Sequence, residues 1–391
     1  MNRSRTVILF TAMSAGILAT SHSALRAQIP GGPQVISPEV LPDRRVAFRI
    51  WAPKAEEVIL RGDWMEGTTV ERLSRNDEGV WTATVGPLRP DYYSYSLWVD
   101  GVRTLDPQNP EVKQGVRSVE NMFFLPGEEA EFQAVAPVPH GQVRRIWYSS
   151  STLGTVRRMH VYTPPDYDGT TTSYPVLYLL HGGGDDDSGW STIGRAGFIL
   201  DNLLAAGKAQ PLLIVMPNGS IPLPAGLPRA APGETPSEEV RRALAETQKK
   251  FVHELMHDVI PYVEAHFRVV DNPSHRALAG LSMGGGQTLE VFATHPNHFA
   301  YVAIWSAGVS RDLEAWEEIH ADFLKRTPVS DTLRLLSLSA GKTDFALPGA
   351  QALSELFRKY RIDHEFQLSE GGHTWLNWRV YLRDLLPRLF R

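Results

Sequence analysis

The chain has 391 residues, 42% of them hydrophobic, 21% charged and 9% aromatic, a balance that argues against wholesale disorder and against a fibrous repeat. Thirty-nine Lys and Arg against 44 Asp and Glu give a formal charge of −5 with no basic block, which argues against nucleic acid as a partner. Cysteine is absent, so disulfides, thiolate catalysis and cysteine-ligated metal are all excluded.

Residues 1–27 run from a basic start, with Arg3 and Arg5, through the uncharged apolar stretch Thr6 to Thr20, to small residues ending at Ala27. That is the pattern of a secretory signal peptide, and the apolar run is short of the ~20 residues a membrane span needs. Cleavage is expected after Ala27, with Ala24 the alternative. Removal takes away three arginines and no acid, so a mature chain of charge −8 is expected in the periplasm or outside the cell, free of the membrane.

Residues 34–127 carry short β-branched and aromatic segments of period two: Arg45 to Trp51, Glu57 to Arg61, Gly79 to Val85 and Tyr92 to Val99. Broken by Pro and Gly, they predict a small all-β antiparallel sandwich. Residues 128–143 lack periodicity and read as a linker. From 144 to 391 apolar strands alternate with helical stretches: strands near 175–180, 212–216, 276–279, 301–305, 333–338 and 365–368, and helices near 197–206, 238–267, 285–293, 313–325 and 350–360. This alternation predicts an α/β domain with a mostly parallel sheet covered on both faces, with its chemistry at the carboxyl ends of the strands. A Pro-rich stretch, 219–237, is read as a lid or substrate rim, or else as a surface insertion.

The sharpest chemical signal is Gly280-Leu281-Ser282-Met283-Gly284, a strand-to-helix turn in which two glycines make room for an exposed serine. A serine hydroxyl needs a base and an orienting carboxylate. Two later strand ends supply them, through Ser339-Ala-Gly-Lys-Thr-Asp344 and Ser369-Glu-Gly-Gly-His373. The order Ser282, Asp344, His373 is that of an α/β-hydrolase, with Asp363 and Glu370 as alternative acids. Oxyanion donors are expected at the amides of Met283 and Gly183, with Gly182 the rival, because His181-Gly-Gly-Gly184 also follows a strand. His181 itself is expected to be a structural hydrogen-bonder. Trp190, Trp375 and Asn218 are candidate substrate contacts, whereas Trp378 is assigned to core packing.

His253-Glu254-Leu255-Met256-His257 matches the H-E-x-x-H zinc motif. The neighbouring apolar stripe of Phe251, Leu255, Val259 and Tyr262 places both histidines on the solvated flank, and no third ligand stands out, so no metal is assigned.

The segments Leu180 to Gly184, Gly280 to Gly285 and Gly371 to Trp375 resemble the esterase D-like enzymes of carbohydrate esterase family 1, which include feruloyl and acetyl xylan esterases. The leading domain resembles a family 48 carbohydrate-binding-type, immunoglobulin-like sandwich through Val46 to Pro53, Arg61-Gly-Asp-Trp64, Asp77 to Trp81 and Tyr95 to Gly101. The resemblance implies an α/β-hydrolase with a Ser-His-Asp triad and no cofactor, acting on feruloyl or acetyl esters of plant cell-wall xylan, with Trp64 a candidate sugar contact. Hydrolysis of siderophore esters of the enterochelin type is a rival expectation, since those enzymes share the fold and the leading sandwich. A glycan-binding protein without activity is the alternative of another class.

Overall fold

The computed structural model describes residues 32–65, 67–116, 118–227, 237–309 and 313–391. The expected signal peptide and the centre of the Pro-rich stretch lie outside them. The leading strands are β1 (Glu39–Val40), β2 (Val46–Trp51), β3 (Val58–Gly62), β4 (Glu71–Arg72), β5 (Ser74–Arg75), β6 (Val80–Val85), β7 (Asp91–Val99), β8 (Val102–Thr104), β9 (Val112–Gln114) and β10 (Val119–Leu125). They form two antiparallel sheets, one in the order β1-β2-β6-β5 and the other β4-β3-β7-β10-β9, with β8 on β7. Alternate residues point between the sheets: Phe48, Tyr93, Tyr95 and Phe123 form an aromatic centre there, and Trp64 stacks on Phe48.

β7 is buried along both faces over Asp91–Leu97. Tyr93 and Tyr95 enter the sandwich core, while Tyr92 points the other way, into a core shared with the following domain. β10 divides likewise, with Met122 outward and Phe123 inward. Period two thus gives this module two hydrophobic faces rather than one apolar and one wet face.

Residues 128–143, read as a linker, carry a short 3-10 helix at Glu128–Gln133. The side chain of Asn202 donates to the carbonyls of Phe132 and Ala134, at 3.1 and 3.0 Å, which holds this segment against the next domain.

A second sheet comprises β11 (Gln142–Ser150), β12 (Thr155–Thr163), β13 (Val176–Leu180), β14 (Leu213–Pro217), β15 (Arg276–Leu281), β16 (Tyr301–Trp305), β17 (Leu335–Gly341) and β18 (Glu365–Ser369). Its order is β11-β12-β14-β13-β15-β16-β17-β18. The pairs β11/β12 and β12/β14 are antiparallel and the rest parallel. The antiparallel edge hairpin does not read as strand in the sequence because Arg144, Arg145, Arg157 and Arg158 interrupt its apolar residues.

The helices are α1 (Ala196–Ala205), α2 (Glu238–Glu254), α3 (Ile260–His266), α4 (Met283–Thr294), α5 (Leu313–Ile319), α6 (Ala321–Leu324), α7 (Leu347–Lys359) and α8 (Trp375–Leu385). Val176, Tyr178 and Leu180 of β13 face one helical layer, and Leu177 and Leu179 face the other. Their continuous apolar run is what burial of both faces demands. Val35–Arg391, sandwich and hydrolase sheet together, form one compact unit.

Candidate active site

β15 ends at Leu281 and α4 begins at Met283, so Ser282 makes the whole turn between them, at φ 51° and ψ −116°. For a residue with a Cβ this conformation is strained and persists only where its surroundings over-determine it. Here they do: the Ser282 amide donates to the Trp305 carbonyl at 2.9 Å, and its own carbonyl accepts from Gly286 at 3.0 Å. The flanking glycines leave no room for side chains. A Cβ on Gly280 would lie 2.3 Å from the Gly284 carbonyl oxygen, and one on Gly284 would lie 2.6 Å from that of His181.

Two loops at neighbouring strand ends complete the line. Beyond β17, Asp344 is buried, and beyond β18 a glycine loop carries His373. The loops are tied by the Thr343 amide donating to the Gly371 carbonyl at 3.0 Å. His373 Nδ1 lies 2.8 Å from Asp344 Oδ1, and its Nε2 lies 2.9 Å from Ser282 Oγ. With Nδ1–H donating to the carboxylate, Nε2 is free to accept the serine proton. Burial pushes the Asp344 carboxyl pKa up, but hydrogen bonds from His373, Ser306 and the Ala346 amide outweigh it and leave the group below the ordinary carboxylate range. The imidazole is also held by rings, tilted 34° over Phe345 with centroids 4.1 Å apart and set edge-on to Trp378 at 5.0 Å.

His181 follows β13 and bonds through both ring nitrogens, donating from Nδ1 to the Gly182 carbonyl at 2.8 Å and accepting at Nε2 from the Gly219 amide at 2.9 Å. It braces the loop and stands apart from the Ser282 hydroxyl's partners. A Cβ on Gly182 would lie 3.4 Å from that of Ser282, and one on Gly183 would lie 3.9 Å from that of Met283. The structure therefore brings the Gly182–Gly183 backbone up against Ser282 and the first residue of α4. Helix N-terminal amides and such a loop are the donors that a developing oxyanion requires.

A cavity of about 1090 Å³ opens at His373 between the hydrolase loops and the sandwich. Phe345, Glu370 and the 371–378 segment form one wall, and Asp63, Trp64, Arg103, Lys113 and Glu120 contribute to the other. Asp63 accepts from the Ser94 amide and hydroxyl, and burial pushes its carboxyl up to about 6 despite those bonds and the positive charges of Arg379 and Lys113.

Trp375 borders the cavity. Trp190 does not. It is fully buried, its indole N–H donates to the Leu180 carbonyl at 3.0 Å, and Trp305 and Trp375 pack on it edge-on. A ring whose single polar atom is satisfied by a strand end belongs to the core, and the sequence expectation of a substrate contact is corrected accordingly. Asn218 is corrected too: its Oδ1 accepts from the Ser220 amide at 3.0 Å in a turn, its carbonyl accepts from Arg157, and it is not among the residues that line the cavity. Trp378 is buried and donates to Ser306 Oγ at 2.9 Å.

His253 and His257 are exposed with rings 4.1 Å apart. Glu254 turns inward instead, fully buried and bonded to Arg157 and the Tyr148 hydroxyl at 3.0 and 2.8 Å. The three side chains of the H-E-x-x-H string therefore do not converge. Of the sandwich wall the sequence singles out only Trp64, as a sugar contact; Phe345, Ser306 and the charged residues of that wall go unmarked. Phe345 sits next to a recognised acid and could have been flagged; the others become neighbours only through folding.

Residues 150–389 match the family described as "Putative esterase", and residues 35–108 match "Carbohydrate-binding module 48 (Isoamylase N-terminal domain)". Among curated proteins, an endo-1,4-beta-xylanase/feruloyl esterase of Xylanibacter ruminicola is 30% identical over 88% of this chain and 44% of its own length. An esterase of Mycobacterium tuberculosis is 35% identical over 42% of this chain and 33% of its own. The chain thus spans less than half the length of these relatives. Among solved structures, the enterobactin esterase of Shigella flexneri superposes with a TM-score of 0.63 at 19% identity, covering 88% of this chain and 92% of that one. A ferulic acid esterase of Anaeromyces mucronatus gives 0.56 at 20% identity, covering 68% and 96%. At such identities the likeness is one of fold.

Proposed function

The chain belongs to the Esterase family, and from that premise we propose that it is a serine carboxylic-ester hydrolase acting through an acyl-enzyme on feruloyl or acetyl esters of xylan. The observation that carries the reading is the hydrogen-bonded line from Ser282 Oγ through His373 to Asp344. Ser282 attacks the ester carbonyl while His373 Nε2 takes its proton. Asp344 holds the imidazole in the competent tautomer and stabilises the imidazolium. The Met283 and Gly183 amides receive the negative charge of the tetrahedral intermediate. His373 then returns the proton to the leaving alcohol, and water attacks the acyl-enzyme with the same histidine as base.

Because the histidine must reach the leaving oxygen, the alcohol side of the ester lies toward the cavity that His373 borders. Among the described residues, that cavity sets Arg61, Arg89, Arg103 and Lys113 against Asp63, Glu120, Asp185 and Glu370. A wall of balanced charge suits a neutral glycan better than a polyanionic siderophore. The xylanase/feruloyl esterase similarity supports the same choice, and the N-terminal pattern supports an exported protein.

The test is hydrolysis of p-nitrophenyl acetate, methyl ferulate, acetylated xylan and a catecholate trilactone by wild type and Ser282→Ala. Loss of all turnover in Ser282→Ala, with methyl ferulate or acetylated xylan the best wild-type substrate, is expected. Equal rates in the two proteins would overturn the serine mechanism, and preference for the trilactone would overturn the substrate class.

A further inference from the structure

The loop that carries the Gly183 amide is held from both sides, and one of the two hands belongs to the sandwich. On the hydrolase side, the Gly219 amide bonds His181, and Ser220 Oγ donates to the Asp185 carbonyl at 3.3 Å. On the other side the chain just beyond β9 runs antiparallel to the loop, pairing Gly115 with Asp185. The Val116 amide donates to the Gly184 carbonyl at 3.0 Å. Lys113 Nζ lies 3.5 Å from Asp185 Oδ1 and 3.2 Å from Glu120, with its side chain 16% exposed. The approach is so close that a Cβ on Gly115 would lie 2.3 Å from the Gly184 oxygen. The fit therefore demands glycine for room, since Gly115 is not among the residues at positive φ.

We propose that this segment of the sandwich is a positioning device for the oxyanion hole, with Gly115 and Lys113 its positioning residues. The inference rests on the serine-esterase reading and deepens it. The carbonyl gripped at Gly184 lies one residue beyond Gly183, whose amide is assigned to the oxyanion, and donors at such a site act only when held about 2.7–3.1 Å from the reacting oxygen. Lys113 fixes the same loop through Asp185, the residue that follows the gripped carbonyl. The leading domain thus acts on turnover itself, even for a substrate too small to touch its surface.

The experiment uses the full-length chain and p-nitrophenyl acetate, which carries no glycan. Gly115→Ala drives a methyl group against the gripped carbonyl, Lys113→Gln removes the ion pair, and Lys113→Arg is the conservative control. Burst titration counts competent sites, so kcat is read per site. Gly115→Ala and Lys113→Gln are expected to lower per-site kcat about tenfold, equivalent to about 1.4 kcal/mol of transition-state stabilisation, with KM within about twofold and Lys113→Arg restoring most of the rate. A per-site kcat equal to wild type would overturn the proposal, whether turnover is unchanged or merely fewer sites survive. If Ser282→Ala is inactive while Gly115→Ala is normal, only this inference fails; an active Ser282→Ala removes the esterase reading beneath it.

Discussion

Asp344, buried, and Asp63, partly buried, are two carboxyls of the candidate site that folding moves in opposite directions. Asp344 is held low by the donors around it, so it stays ionised throughout the range in which its histidine must work. The stability that its ionisation contributes is present above the ordinary carboxylate range and lost as pH falls through the lowered folded value. Asp344→Asn should keep the fold yet cut kcat by about 10²–10⁴, because an amide at this position favours the wrong imidazole tautomer; steady-state kinetics on p-nitrophenyl acetate checks this. Asp63 is pushed up to about 6 by burial, so the folded protein keeps a proton that the unfolded chain releases near 3.8. Stability is therefore lost as pH rises from about 4 to 6. Asp63→Asn should remove that slope, gaining about 1–2 kcal/mol on wild type between pH 4 and pH 7 once partial solvation is allowed for. Urea melts at the two pH values measure it, and an unchanged difference would show Asp63 to be ordinarily solvated. Trp190 and Asn218 mark the limit of reading single residues: each follows a strand end, as a substrate contact would, but the Leu180 carbonyl claims the indole and the turn to Ser220 claims the amide.

Among elements, the β15–α4 turn shows why a five-residue pattern is so legible. Its glycines answer a local steric demand that one stretch of chain states in full. Gly284→Ala should destabilise the protein by about 1–3 kcal/mol through overpacking against the end of β13, and should reduce kcat more than stability alone explains; thermal melts beside per-site kinetics separate the two. The long helical stretch after the Pro-rich segment teaches the opposite lesson. Period 3.6 predicts one helix over 238–267, whereas α2 and α3 are joined by a π-helical turn at Leu255–Val259. That turn lies where Asp258 leaves the helix surface to accept from Ser150, Ser151 and Thr152 at the tip of the edge hairpin. The sequence does not announce α8, because its start overlaps the histidine loop and its charges, Arg379, Arg383 and Asp384, blur the apolar stripe. Arg379 is nevertheless fully buried.

For the molecule as a whole, Arg379 is the bolt. It donates to Asp91 and the Tyr92 carbonyl of β7 at 2.8 and 2.6 Å, and to the Ile193 carbonyl at 2.8 Å. Leu376, one turn earlier, packs against the sandwich core. The helix that follows His373 is thus anchored in the leading module, as is the 183–185 loop proposed to offer an oxyanion amide. Arg379→Ala should cost about 2–4 kcal/mol, since it removes the buried counter-charge of Asp91 and leaves that carboxylate the more exposed Arg89 with Gln133 and the Tyr92 amide, and calorimetry of the full chain should show sandwich and hydrolase melting in one transition. Two separate transitions would mean that the modules are thermodynamically independent. The sequence by itself determined the sandwich, the parallel sheet and the order of serine, aspartate and histidine, because alternation, glycine at tight turns and residues at strand ends are dictated by neighbours close along the chain. Only the tertiary structure decided that Tyr92 and Met122 face a second core, that a buried arginine joins β7 to α8, and that the Gly115–Val116 segment meets the Gly184–Asp185 loop. Those contacts link positions tens to hundreds of residues apart, and no local period encodes which distant surface will meet them.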